Sequence, residues 1–291
     1  MPELPDITVY CERLAARVVA TRLTGVQVSS PFVLRSVEPA LSAFAGVTIT
    51  SIERLGKRIV IAVTGDLFLV IHLMIAGRLK WVDVAKKAPK GLARFGFDRG
   101  TVVLTEAGTK RRASLTAVQG RPALQAMDRG GLDVLHSSDD ALLARLRSEN
   151  HTLKRALTDP RLLDGIGNAY SDEILHAARL SPLQLTARLT DADALRLVHT
   201  IRSTLSTWIE RMRAEVRDGW PEKVTAFRDG MAVHGRFRQP CPVCGAPVQR
   251  IRYAENETNY CARCQTGGRL LADRAMSRLL KGDWPRSLDE L

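Results

Sequence analysis

The chain opens MPELPDITVY, with a proline behind the initiator methionine and a carboxylate behind the proline. Removal of Met1 would leave Pro2 as a secondary amine. An α-amino group titrates near pH 8, against about 10 for a lysine, so part of it is neutral near pH 7 and available as a nucleophile. Glu3, a carboxylate, follows it directly. Taken alone, Met-Pro is also an ordinary translation start and Pro-Asp an ordinary helix opening, and on ten residues alone that ordinary reading is favoured.

A second cluster of chemistry lies near the other end. Cys241, Cys244, Cys261 and Cys264 are spaced C-x2-C-x16-C-x2-C, the spacing of a four-thiolate zinc site in which each pair sits on a tight knuckle. Two disulfides are the alternative, but an intracellular protein with paired knuckles favours zinc. Four thiolates leave no open ligand position, so one structural Zn2+ is expected, with no organic cofactor. The remaining cysteine, Cys11, is expected to be a buried core residue. A third segment, HTLKRALTDPRLLDGIGNAYSDEILHAARLSP, reads as a helix, a turn containing Gly165 and Gly167, and a second helix from Asn168. Such a turn lets backbone N–H groups and the positive end of a helix approach a phosphate, with Asn168 donating and Lys154 adding charge. GIGN is a weak motif by itself, because packing explains many such turns.

These residues need elements to position them. Residues 5–18 form a helix, with Ile7, Tyr10, Leu14 and Val18 on one face. TITSIERLGKRIVIAV, DLFLVIHLMIAGRLKWV and GTVVLTEAGTKRRASLTAV are rich in β-branched residues and broken by glycine turns, the pattern of an antiparallel sheet or sandwich. From about residue 140 the pattern is helical, and Val198, Ile201, Leu205, Trp208 and Met212 form a core stripe. Arg-Gly-Gly and Ser-Ser-Asp-Asp near 130–140 are linker chemistry.

The 291 residues include 43 Lys and Arg against 31 Asp and Glu, a net charge of +12 that attracts polyanions. Nucleic acid is the leading partner class. Aromatic residues make up only 5% of the chain, which argues against a base-stacking platform for single strands. There is no apolar run of membrane-spanning length, and Glu3 and Asp6 do not suit a signal peptide. A cytoplasmic protein associated with a bacterial nucleoid is expected, with no membrane partner.

The MPELP start, LGKRIVI, HLMIAGRL, K-x2-L-x10-N in the helical unit, VHGR and the four-cysteine hairpin occur in that order. As an ordered set covering residues 1–265, they resemble the formamidopyrimidine-DNA glycosylase and endonuclease VIII family of base-excision enzymes. The resemblance implies an α+β fold: an N-terminal helix and antiparallel β-sandwich over 1–132, a helix-two-turn-helix domain over 140–225, a zinc finger over 236–265 and an extension over 266–291. It implies a monomer acting on double-stranded DNA that contains a damaged base or an abasic site. In this family the N-terminal proline attacks C1′, releases the base through a Schiff base, and the strand is cut by elimination. Carried over, Pro2 is the nucleophile, Glu3 the general acid/base, and Lys57 holds phosphate near the scissile site. Lys154 and Asn168 grip the backbone, and Met74 fills the gap left by the rotated base, unless it is a strand residue in the core. A catalytically silent damaged-DNA-binding protein of the same fold is the alternative, against which the retention of Pro2, Glu3 and Lys57 speaks.

Three departures bear on the substrate. Where 8-oxoguanine members carry an Arg and a Phe that wedge into the opposite strand, this chain reads GTKRRASL. Arg111 or Arg112 supplies the cation, with Ala113 near the place of the missing aromatic. The linker RDGWPEKVTAFRDGMA is shorter than the loop that caps 8-oxoguanine, which leaves oxidised pyrimidines, abasic sites or a bulkier lesion open. Five residues before the third cysteine the family usually offers an Arg. Asn256 stands there and brings no charge, so Arg250, Arg252 or Arg263 must compensate or the grip is weaker. The tail runs beyond the family's usual end, and LLADRAMSRLL is amphipathic, expected to dock on the body.

Overall fold

A computed structural model describes residues 1–107, 111–222, 224–225, 227–253, 256–273, 279 and 285–290. The chain forms two units, Met1–Arg129 with Trp208–Thr225, and Gly130–Thr207 with Ala226–Leu291.

The first unit opens with α1 (Leu4–Val18), followed by β1 (Arg22–Val28), β2 (Val47–Leu55), β3 (Arg58–Val63), β4 (Leu67–His72), β5 (Gly77–Asp83), β6 (Ala93–Phe97), β7 (Gly100–Glu106), β8 (Ser114–Gln119) and the short α2 (Arg121–Gln125). The strands run in the order β5-β7-β6-β1-β2-β3-β4-β8, with antiparallel pairing. β1 and β2 meet only through Arg22–Thr48 and Leu23–Val47, so the sheet divides there into two layers. Leu79, Phe95 and Leu104 from one layer and Ile59, Ile61, Leu69, Ile71 and Leu115 from the other share one core with Ile7, Tyr10, Leu14 and Val18 of α1. This is the β-sandwich expected.

RIVIAV and LFLVI lack the in-out alternation of a half-exposed strand because both their faces are covered. Val60, Ala62, Phe68 and Val70 point away from the main core into a second cluster with Val118 and Leu124 of α2. Cys11 is buried as expected, its thiol pushed up to about 12 chiefly by burial, which makes it inert.

The second unit holds α3 (Asp139–Arg147), α4 (Leu153–Thr158), α5 (Asn168–Ala177), the first part of α6 (Asp191–Val216), the hairpin β9 (Gln249–Tyr253) and β10 (Asn256–Tyr260), and α7 (Ala262–Thr266). Thr152 caps α4, its hydroxyl accepting from the Arg155 N–H, and the α4–α5 turn buries Leu162, Leu163 and Ile166. Gly165 takes φ +83°, a conformation that L side chains rarely adopt. The α6 stripe Val198, Ile201, Leu205, Trp208 and Met212 is buried throughout.

Part of the tail packs on the zinc-finger segment. Leu270 and Leu271 join a core with Tyr260 and Ile251, and the Leu271 N–H donates to the Tyr260 hydroxyl at 2.8 Å. The chain returns so that Leu288 touches both this cluster and that of Val233, Val248 and the cysteines. Most of LLADRAMSRLL lies outside the described residues. No described helix is long and apolar enough to cross a membrane.

Candidate active site and metal centre

The N-terminus is built by helix capping. Glu3 is the N-cap of α1, and its carboxylate accepts from the Asp6 backbone N–H while Asp6 Oδ2 accepts from the Glu3 N–H at 2.9 Å. Pro5 lies in the first turn, where no N–H is needed, and Asp6 suits the positive end of the helix. Both carboxylates are nearly inaccessible, at 2% for Glu3 and 1% for Asp6. The terminal amine here is that of Met1, and it is pulled below its ordinary value of 8.0, first by burial; Glu3 and Asp6 oppose the shift, while Arg78 and Lys57 add to it. The charges of Lys57, from the β2–β3 turn, and Arg78, from β5, are thus both felt at the N-terminus.

HLMIAGRL is a strand end, a turn and a strand start. Met74 lies in the turn, half-buried, with φ +52°. The sequence alternative of a core strand residue fails here, because a left-handed backbone cannot continue a strand. Gly77 closes the turn by donating to the Leu73 carbonyl at 2.8 Å, and a Cβ at Gly77 would sit 2.3 Å from that oxygen. Arg78 folds back onto the turn, donating to the Gly77 carbonyl at 2.6 Å.

His72, at the end of β4, is held down to about 4, chiefly by burial and then by Arg58, Lys57 and Arg129. It is neutral at pH 7. In the unfolded chain an ordinary histidine takes up its proton near 6.5, so the folded form loses stability as pH falls from 6.5 towards 4. A His72→Gln variant is expected to lose about 2 kcal/mol less than the parent between pH 6.5 and 5, measured from urea unfolding. Identical pH slopes would count against this assignment.

Arg111 and Arg112 have exposed side chains at the start of the segment leading into β8. The Glu106 carboxylate fixes the backbone there by accepting from the Arg112 and Ala113 N–H groups at 2.9–3.2 Å. Gly108, Thr109 and Lys110 lie outside the described residues.

In the second unit, two adjacent carboxylates on α5 organise the surroundings. Asp172 accepts from Lys154 Nζ at 2.5 Å, from the Asn259 N–H at 3.1 Å, and pairs with His234 Nδ1 at 2.8 Å. Glu173 accepts from the backbone N–H groups of Ala232, Val233 and His234 at 2.7–2.9 Å. Burial raises its pKa, against the pull of those N–H groups and with a push from Asp172. The VHGR segment is thus held to α5 by two acids. Lys154 also donates to the Asn168 carbonyl at 2.7 Å, so two of its three donors are spent within the protein. Asn168, the first residue of α5, donates through Nδ2 to the Glu257 carbonyl of β10 at 2.8 Å. Asn256 opens β10, its side chain lying outside the described residues.

The four sulfur atoms all lie within 4.8 Å of one another, with Cys241–Cys264 at 3.9 Å and Cys244–Cys261 at 3.4 Å. Thiolates about 2.3 Å from a tetrahedral zinc are separated by about 3.8 Å, so the donor set fits that ion. Two buried side chains support the knuckles. His176 Nε2 lies 3.3 Å from Cys241 Sγ, and Gln265 accepts from the Cys261 N–H while donating to the Leu180 carbonyl, both at 2.8 Å.

Three family models match the chain in order: the formamidopyrimidine-DNA glycosylase N-terminal domain over residues 1–118, the H2TH domain of the same enzymes over 133–218, and the zinc finger found in FPG and IleRS over 238–267. The chain belongs to the formamidopyrimidine-DNA glycosylase family. It is 31% identical over 281 residues to a formamidopyrimidine-DNA glycosylase of Symbiobacterium thermophilum, covering 91% of this chain and 89% of the relative. It is 41% identical over 162 residues to an uncharacterized formamidopyrimidine-DNA glycosylase-like protein of Mycobacterium tuberculosis, covering 56% of this chain and 99% of that one. Its fold is similar to that of MutM in complex with DNA containing carbocyclic 8-oxo-G, with TM-score 0.80, 22% identity, and 91% and 100% of the two chains covered. The Lactococcus lactis Fpg bound to DNA with an abasic site is comparable, with TM-score 0.79, 21% identity, and 91% and 99% covered.

Arg78, His72, Asp172, Glu173 and His176 were not singled out by sequence reasoning. The signal for three of them was present in this family member: SDEILH puts two acids and a histidine on a short helix whose other residues are apolar or small. Ionisable groups on such a helix are buried and need partners.

Proposed function

We propose that this protein excises a damaged base from duplex DNA and cuts the strand at the resulting abasic site. The observation that carries the reading is a buried N-terminus in which Pro2 adjoins the capping carboxylate of Glu3, with the charges of Lys57 and Arg78 acting on the Met1 amine, in a chain of this family. With Met1 removed, the Pro2 nitrogen attacks C1′ of the damaged nucleotide. The glycosidic bond breaks and the base leaves with a proton; the proton on the Pro2 nitrogen then passes to O4′ as the C1′–O4′ bond opens, which gives an iminium at C1′. Glu3 moves protons at the sugar, since it is the carboxylate adjacent to the amine. Abstraction of a C2′ proton then expels the 3′ phosphate, which Lys57 and Arg78 are placed to receive. Met74, on a turn and not in the core, fills the space left by the rotated nucleotide. Arg111 and Arg112 face the opposite strand, and Asn168, the remaining donor of Lys154 and Asn256 hold the backbone. The four cysteines hold one structural Zn2+, which fixes the hairpin and leaves no ligand position for catalysis.

The linker bears on the lesion. Trp220 Nε1 donates to the Leu79 carbonyl at 2.8 Å, and its ring lies 5.6 Å from Tyr10 and 6.1 Å from Trp81 with the Arg17 guanidinium over it. Val224 is buried in the same core. The first half of the linker is therefore tied down, leaving little free chain to fold over a base. This favours lesions that need no cap, oxidised pyrimidines and abasic sites among them.

Borohydride trapping on single-lesion duplexes tests the reading: an abasic site, 8-oxoguanine, a formamidopyrimidine, thymine glycol and dihydrouracil. A covalent adduct is expected on at least one, from protein whose intact mass shows Met1 removed, and Pro2→Gly should weaken or alter trapping. Binding of every duplex without any adduct would favour a silent damage-binding protein. Equal trapping of Pro2→Gly and parent, with loss in Lys57→Ala, would move the nucleophile to Lys57.

A further inference from the structure

The zinc hairpin lacks an arginine at position 256 yet carries a compact cationic group on its other strand. In β9, Ile251 packs inward with Tyr260 and Leu271, so strand alternation sends Arg250 and Arg252 to the opposite face. The cross-strand partner of Arg252 is Glu257. Glu257 Oε2 lies 3.3 Å from Arg250 Nη1 and 3.4 Å from Arg252 Nε. The Arg250 guanidinium stacks 4.0 Å from the centre of the Phe237 ring, and the Arg238 guanidinium lies 5.2 Å from the same ring. Arg250 and Arg238 thus share one aromatic ring, and Arg250 and Arg252 share one carboxylate.

This arrangement is poorly satisfied as an ion pair and leaves both arginines able to take an anion from outside the hairpin. A single carboxylate oxygen serves both arginines at long range, with no two-pronged contact of the kind an arginine makes with a matched partner. Arg252 is 59% exposed and Arg250 29%, so the group is open to a ligand. The backbone beneath is fixed. Asp273 accepts from the Arg252 N–H at 2.8 Å, and Asn168 at the start of α5 donates to the Glu257 carbonyl. Arg263 is directed elsewhere, donating to the Cys244 carbonyl of the zinc knuckle at 3.3 Å.

We propose that Arg250 and Arg252, braced on Phe237, form the hairpin's clamp for a DNA-backbone phosphate, and that Glu257 is the internal occupant which the phosphate displaces. The proposal rests on the DNA reading above. Glu257 lowers affinity in the free protein by competing for the arginines. A backbone phosphodiester carries the same single charge, but its two non-bridging oxygens approach from outside the hairpin and can each take one guanidinium at contact distance, where Glu257 offers one oxygen to both.

The test uses the full chain and a duplex with one reduced abasic site, with binding followed by fluorescence anisotropy from 50 to 200 mM KCl. Each neutralised phosphate contributes about 0.9 to the slope of log K against log salt. The Arg250→Gln, Arg252→Gln protein is expected to bind about tenfold more weakly at 100 mM, with a slope shallower by about one. Glu257→Gln should bind several-fold more tightly with a steeper slope, and Arg250→Lys, Arg252→Lys should keep the slope while losing affinity. Zinc content and circular dichroism show whether each variant keeps its fold. An unchanged slope in the Gln variant, or weaker binding by well-folded Glu257→Gln, would overturn the clamp. Borohydride trapping of the parent separates the two readings: adducts with unchanged slopes remove only the clamp, whereas no binding and no adduct remove both.

Discussion

A Glu3→Gln protein is expected to fold like the parent and to release a damaged base roughly 10²–10⁴-fold more slowly, the usual contribution of a positioned acid/base. Fold and chemistry separate at this residue because its two tasks use different properties of the carboxylate. Capping needs an oxygen that accepts from the Asp6 N–H and a backbone N–H that donates to Asp6 Oδ2. Glutamine supplies both with nearly the same shape, so a buried N-cap is conserved and the urea midpoint should move little. Proton transfer needs the carboxylate, which glutamine lacks. A protonated nucleophile cannot account for the loss, because removing a negative charge beside an amine disfavours its protonated form. A preformed abasic site has no glycosidic bond left to break and should be trapped with a smaller loss. Single-turnover excision and borohydride trapping, measured side by side, give that split. Equal and unimpaired rates on both substrates would leave Glu3 as a cap alone.

The ordering of the elements was legible because each obeys a local rule. α1 begins one residue from its expected start, and the β-branched runs are strands of the first unit. What could not be read was anything set by a partner distant in sequence. The continuous apolar run of β3 gave no sign of which element covers its second face, and only the fold shows α2 doing so. Met74 stood in an apolar stretch that suited either a strand or a turn, and the close approach of Gly77 to Leu73 decides the matter. At the active site, Pro2, Glu3 and Lys57 were visible by type and resemblance, but Arg78 became visible only through its field at the N-terminus. Lys154 was read as a DNA-gripping charge. Its side chain spends most of its bonding on Asp172 and Asn168, and its first effect is to fix the start of α5.

That position of Lys154 leads to the largest expected change in stability. Asp172→Ala should destabilise the second unit by about 3–5 kcal/mol, the usual cost of removing one partner of a buried ion pair. The Asp172 side chain is fully buried and Lys154 only 13% exposed, so the ammonium left behind could not recover its hydration in place. His234 Nδ1 and the Asn259 N–H would lose their acceptor in the same step. Asp172→Asn keeps an oxygen for one or two of these donors and should cost less. The double variant Lys154→Met, Asp172→Ala removes both charges together and should recover part of the loss, because no unpaired ion is then left buried. Urea unfolding of the parent, Asp172→Ala, Lys154→Met and the double closes the cycle, with a fall in midpoint at constant slope marking a change in stability. Were the double variant no better than Asp172→Ala, the cost would lie in His234 and Asn259, and Asp172 would serve chiefly to join VHGR and the zinc hairpin to α5.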